Sequence, residues 1–194
     1  MLIVVCAMQE EAINVIRKFK LKQSGDYFES EDIRLIITGI GREKVREKLS
    51  KAVNDGKLSE NDDVLNFGFA GGYKINTGLL LAVSQSFLIN SEYKESGFSL
   101  DCPVGFYPSG AVVCFTSDKF VEHSKFSNPC LYDMELHEIC KFPHKKIYSI
   151  KIVSDNLSES EFDKNIKPGA MDSAIMHVAM GRIERIMKWR KDEN

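Results

Sequence analysis

No apolar stretch in the sequence approaches the roughly 18 residues that a membrane-spanning helix needs, so no spanning segment is expected. Neither sign of charge predominates: 26 basic side chains stand against 28 acidic ones. That balance, with an isoelectric point of about 6.1, removes the electrostatic case for a nucleic-acid partner. Cysteine is sparse and unpatterned. Cys6, Cys102, Cys114, Cys130 and Cys140 form no C-x-x-C pair, and His123, His137, His144 and His177 do not join them in a zinc spacing. An odd, scattered set reads as reduced thiols in a cytoplasmic protein, each a small apolar residue. Repeats and linkers are lacking too, so residues 1–194 are expected to form a single domain large enough for one core. The first apolar run, Leu2 to Cys6, has no basic stretch before it and leads into charge, so it is read as a strand and not a signal peptide.

What the chain does have is alternation of strand and helix. Leu2 to Cys6 is continuous and β-branched, as in a strand covered on both faces. Gln9, Glu10 and Glu11 then put acids in the first turn of a helix, with Ala12, Ile13, Val15, Ile16 and Phe19 on its apolar side. Tyr27-Phe28 and Ile33 to Ile37 suggest a hairpin or successive strands. Thr38-Gly39-Ile40-Gly41 makes a turn before a second helix with Val45, Leu49 and Val53 inward. Further strands are expected at 64–68, 79–83, 87–90, 111–115 and 147–153. Thr116-Ser117-Asp118 reads as a helix start, and 91–110 as loop. The last helix is expected from about Ala170, with Met171, Ile175, Val178, Ile183 and Ile186 inward and the charged tail from Lys188 solvated. Such alternation means an α/β sheet with helices on its faces.

Ligands of open α/β sheets sit beyond the carboxyl ends of the strands, so the turns there are the places to search. Four stand out: Ala7-Met8-Gln9-Glu10-Glu11, Gly68-Phe69-Ala70-Gly71-Gly72, Asp133-Met134-Glu135 and Ser154-Asp155. Glycines let a ligand approach the backbone, but this run lacks the Lys and Ser/Thr of a phosphate loop and the spacing of a dinucleotide fingerprint. Each acid taken singly is read first as a helix cap or a partner of the helix dipole, and only their combination points to a site.

Taken in order, AMQEEA, TGIG, GFAGG, TSDKFV, DME and IVSD resemble the 5′-methylthioadenosine/S-adenosylhomocysteine nucleosidases of the purine nucleoside phosphorylase-like superfamily. The resemblance covers nearly the whole chain. It implies a three-layer α/β/α fold of the phosphorylase/hydrolase type, with a mixed central sheet and helices on both faces. It also implies N-glycosidic cleavage of a purine nucleoside, with adenine and a free thio-sugar as products. Glu11 falls where that family keeps the carboxylate activating water, and Asp155 where it keeps the acid protonating N7 of adenine. Met134 and Glu135 match the ribose-binding pair, Phe120 and Val121 the adenine-stacking segment, and Gly71 a backbone contact; Ser154 would orient Asp155. No metal or organic cofactor is implied, and the expected partners are a small purine nucleoside and a second copy of the chain in a homodimer.

The sequence departs from the family in three places. Phe69 stands where a small hydroxyl residue is usual, Lys151 where arginine is usual, and the middle of the chain is shortened. The chemistry stands without the family: cleavage leaves charge on sugar and base, so it needs an acid, a carboxylate for water and anchors for the ribose. Two other readings are a nucleoside phosphorylase, for which Arg42 is the one well-placed arginine, and a non-catalytic adenine-nucleoside binder. His137 and His177 are read as packed or surface residues. The methionines at 171, 176, 180 and 187 are read as core filling, and Lys145-Lys146 and the tail as solvated faces.

Overall fold

The computed structural model describes residues 1–89, 97–102, 111–167 and 173–192. In chain order the described elements are β1 (Leu2–Cys6), α1 (Gln9–Lys18), β2 (Lys22–Ser24), β3 (Tyr27–Glu29), β4 (Ile33–Ile37), α2 (Arg42–Asn54), β5 (Asp63–Tyr73), β6 (Leu80–Ile89), β7 (Phe98–Ser99), β8 (Val112–Ser117), β9 (Cys130–Asp133), α3 (Leu136–Ile139), β10 (Lys146–Asp155), α4 (Glu159–Asn165) and α5 (Ser173–Asp192). Strands β4, β1, β5 and β10 run parallel side by side. Their side chains alternate between two cores. Leu2, Val4, Leu65, Phe67, Ile150 and Ile152 pack under α1 and α5, while Ile3, Val5, Val64, Ile147 and Val153 pack with residues of α2 and α3. Helices therefore cover both faces, and the three-layer α/β/α arrangement with a mixed sheet is what the chain adopts.

The mixed part of the sheet comes from β5. At eleven residues it outruns β1, and its far end pairs with β9 antiparallel through Gly71, Gly72 and Tyr73. From β9 the pairing passes to β8, then β6, then β10, and β10 returns to β5. Five strands thus close on themselves. Closure brings the ends of β8 and β9 to the same place as the ends of β1, β4 and β10.

Several elements differ from the sequence expectation. Ala70-Gly71-Gly72 is not a turn: it lies inside β5, where Gly72 has no room for a side chain because a Cβ would lie 2.7 Å from Val153 Cγ1. Strand β6 is a single strand where two were expected; Asn90 and most of the 91–110 loop lie outside the described residues. Thr116 and Ser117 are the last residues of β8 and start no helix, because pairing with β6 and β9 carries the strand through them. Val53 and Val178 face out, at 36% and 46% exposure, and Ala52 and Ala179 take the inward positions. The expected start of the last helix, with Met171, lies outside the described residues. Its charged end is not free in solvent: Arg190 pairs with Asp63, Lys191 with Asp32, and Trp189 packs edge-on against Tyr148. Among the described residues no helix is long and apolar enough to cross a membrane.

Candidate active site

A cavity of about 310 Å³ opens where these strand ends meet. Of the eight residues singled out in the sequence, Glu11, Gly71, Phe120, Val121, Met134, Glu135 and Asp155 line it, and Ser154 stands directly behind Asp155.

Glu11 enters from the first turn of α1. Its Oε2 accepts the N–H groups of Ala7 and Met8 at 2.7 and 2.9 Å, and its Oε1 accepts that of Phe69 at 2.8 Å. The first pair is a helix-start role, one of the two expected of an acid in this turn. The third bond reaches across to β5 and fixes the carboxyl at the cavity wall. Gly68 makes this approach possible, since a Cβ there would lie 2.5 Å from Oε1. Burial raises the Glu11 pKa above the ordinary range, against the opposing pull of Lys151 and of the three N–H donors.

Asp155 is fully buried at the end of β10. Opposite Ala70 and Gly71 the register slips between Val153 and Asp155, and such a bulge re-aims the side chain that follows it. Ser154 Oγ donates to Oδ2 at 2.7 Å, and the N–H groups of Leu157 and Ser158 donate to Oδ1 at 2.9 and 3.2 Å. Burial is the largest influence and raises its pKa, while those three donors oppose it. Gly71 allows the contact, because a Cβ there would stand 3.0 Å from Oδ1. Leu157, which turns the chain away at φ 63° and lines the cavity, is held in a conformation that non-glycine residues seldom adopt.

Glu135 sits at the amino end of α2, where Gly41 N–H donates to its Oε1 at 2.7 Å. An anion is favoured there by the helix dipole. Burial, helped by the neighbouring Asp133 carboxylate, nevertheless raises its pKa from 4.5 to about 7. Asp133 itself accepts from Thr116 Oγ1 at 2.6 Å and from Leu136 N–H at 3.1 Å, and it pairs with Lys151 Nζ at 2.7 Å. Lys151 is buried. Burial works against its charge, but Asp133, Cys114 and Glu135 outweigh it and hold the ammonium above the usual lysine range. One buried cation therefore faces three carboxyls, Glu11, Asp133 and Glu135.

One part of the cavity wall is apolar. Phe120 and Phe162 lie with ring centroids 6.1 Å apart, and Met8, Ile40, Val121 and Leu157 line the cavity with them, alongside the charged Lys119, Glu159 and Asp163. Phe69 does not plug the opening: its ring belongs to the core under α1 and α5, and the cavity remains open beside it. Sequence reasoning missed helix α4, which supplies Phe162. Its start carried a readable signal, Ser158-x-x-Glu161, and Ser158 Oγ indeed accepts the Glu161 N–H at 3.4 Å. The Phe120–Phe162 contact and the bulge at Ser154 had no such signal.

Solved structures place the architecture: it is the α/β fold of 5′-methylthioadenosine/S-adenosylhomocysteine nucleosidases. A Francisella philomiragia protein assigned to that activity matches with a TM-score of 0.72 at 14% identity, over 95% of this chain and 98% of its own. The Streptococcus pneumoniae nucleosidase in complex with 8-aminoadenine matches with 0.70 at 17% identity, over 93% and 98%. The futalosine hydrolase of Helicobacter pylori matches with 0.63 at 18% identity, over 95% and 97%. No family model and no curated relative matches the sequence.

Proposed function

We propose that the protein is an N-glycosidase that hydrolyses a purine nucleoside, with 5′-methylthioadenosine or S-adenosylhomocysteine as the substrate class. The observation that carries this reading is the convergence of Glu11, Glu135 and Asp155, far apart in sequence, on one cavity that Phe120, Val121 and Phe162 also line. In the reaction the C1′–N9 bond breaks and its electron pair leaves with the base. Asp155, whose raised pKa favours a retained proton, gives that proton to N7. Water attacks C1′ and loses a proton to Glu11. Glu11 Oε2 is filled by two N–H donors, but Oε1 accepts only one and keeps acceptor capacity, which leaves a place for that water. Glu135 takes the ribose hydroxyls, beside Met134. Phe120 and Val121 cover the purine, and the backbone of Gly71 lies next to Asp155. The fold neighbours include both adenine nucleosidases and a futalosine hydrolase, so the 5′ substituent is the least constrained part of the proposal.

Hydrolysis is favoured over phosphorolysis by two features. Arg42, the arginine a phosphate would need, is held in a two-pronged ion pair with Asp118 at 2.6 and 2.8 Å. A carboxylate at Glu11 would also repel a polyanion, whereas a neutral water is accepted. The test is to incubate the purified protein with 5′-methylthioadenosine in phosphate-free buffer. Release of adenine is expected; turnover only when phosphate is added would reverse the choice, and no adenine at any pH would end the reading.

A further inference from the structure

The segment 118–121 carries Lys119, Phe120 and Val121 to the cavity but belongs to no helix or strand. Its polar ties to distant parts of the chain, among the described residues, come from one place. Arg42 Nε donates to Asp118 Oδ1 and the terminal Nη2 to Oδ2, a parallel fork. Arg42 opens α2, and the residues just before it, Ile40 and Gly41, form the facing part of the site: Ile40 lines the cavity and Gly41 N–H holds Glu135. A cation at the first position of a helix meets the wrong end of the dipole, so Arg42 is not placed there to stabilise α2. The Arg42 side chain is 18% exposed and that of Asp118 49%, which leaves the fork open to screening by salt. Its bidentate form makes it stronger than a single surface contact.

We infer that Arg42 and Asp118 are positioning residues: their ion pair clasps the aromatic lip at Phe120 and Val121 to the Glu135 side of the cavity and so sets the affinity for the base. The inference rests on the cavity being the nucleoside site. It predicts an effect on KM and little on kcat, because neither residue touches the reacting bond. Arg42→Ala and Asp118→Ala are each expected to raise KM for 5′-methylthioadenosine about three- to tenfold at low salt, with kcat within about twofold. Raising salt from about 20 mM to about 500 mM should move wild-type KM toward the variants' value and leave the variants flat. The exchanged pair, Arg42→Asp with Asp118→Arg, should recover most of the loss, which a merely structural contact at either site would not do.

Amide hydrogen exchange of the free protein reads the clasp without any turnover. Residues 118–121 should exchange about fivefold faster in either single variant and return toward wild type in the exchanged pair. Unchanged exchange in both single variants would overturn the clasp even if adenine release is normal. Altered exchange in a protein that releases no adenine would leave the clasp standing and remove the nucleosidase reading. Unchanged KM in both single variants, or a failure of the exchanged pair to rescue either readout, would also overturn it.

Discussion

At the scale of single residues, Asp155 separates a catalytic role from a structural one. Its Oδ1 accepts the Leu157 and Ser158 N–H groups, which is what a capping residue does, and Asn would preserve much of that. A proton donor, however, has no substitute in an amide. Asp155→Asn is therefore expected to lower adenine release by at least about 10²-fold while nucleoside binding persists. Glu135→Gln should differ by weakening binding as well, since it removes a charged acceptor for the ribose hydroxyls. Steady-state kinetics with calorimetric titration of both variants decides the matter, and wild-type turnover in Asp155→Asn would leave that residue only its turn.

At the scale of elements, β5 holds Glu11 through the Phe69 N–H and β10 carries Asp155. Gly68 is a position where chain geometry and chemistry meet, because a methyl group there would lie 2.5 Å from Glu11 Oε1. Gly68→Ala forces either the strand or the carboxyl to shift. Displacements of about 1 Å at a reacting group can cost about 10²-fold, so turnover should fall by about 10-fold or more while circular dichroism shows a folded protein. Equal turnover in this variant would mean that Glu11 has slack and does not hold a fixed water. Lys151 ties β10 to β9 through Asp133, and both side chains are nearly inaccessible, at 2% and 1%. Removing one member of such a pair leaves a buried charge uncompensated. Lys151→Met should destabilise the protein by about 3–5 kcal/mol, seen as a lower urea midpoint; a loss below about 1 kcal/mol would show that Asp133 takes up a proton or water instead.

At the scale of the whole molecule, the buried acids tie stability to pH. Glu135 holds its proton more tightly folded, with a pKa of about 7, than at its ordinary 4.5. Between those values the native state binds more protons than the unfolded one, so stability falls as pH rises through the window. One such proton gives a slope of at most about 1.4 kcal/mol per pH unit. Glu11 and Asp155 are shifted in the same direction. Urea midpoints should decrease from pH 5 to pH 7, at about the spacing this slope implies, and Glu135→Gln should flatten the curve; a rising midpoint in both proteins would contradict the burial argument. Assembly belongs to the same scale. The family resemblance implies a two-fold homodimer, so light scattering at micromolar concentration should give about twice the 22.0 kDa chain mass. A stable 22.0 kDa species would remove that expectation.

What the sequence determined by itself was the layering and the chemical inventory. The run Leu2–Cys6 is apolar at every position and Ile33–Ile37 at every position but Arg34, as expected of strands covered on both faces, and Val45 and Leu49 mark the inward side of α2. The acids stood where strands end, and their order along the chain pointed to one type of reaction. Tertiary structure alone decided how those pieces meet. Gly71 and Gly72 read as a turn because glycine breaks local structure, yet they extend β5, since pairing with β9 and β10 outweighs local propensity. Lys151 stood in the sequence as a departure from a pattern; its partner, Asp133, lies in a different strand. Arg42 and Asp118 are 76 residues apart, and no periodicity connects them. Local patterns record what each segment must bury, but ring closure, a register slip and an ion pair between distant residues are properties of strand pairing across the chain, and only the folded sheet specifies them.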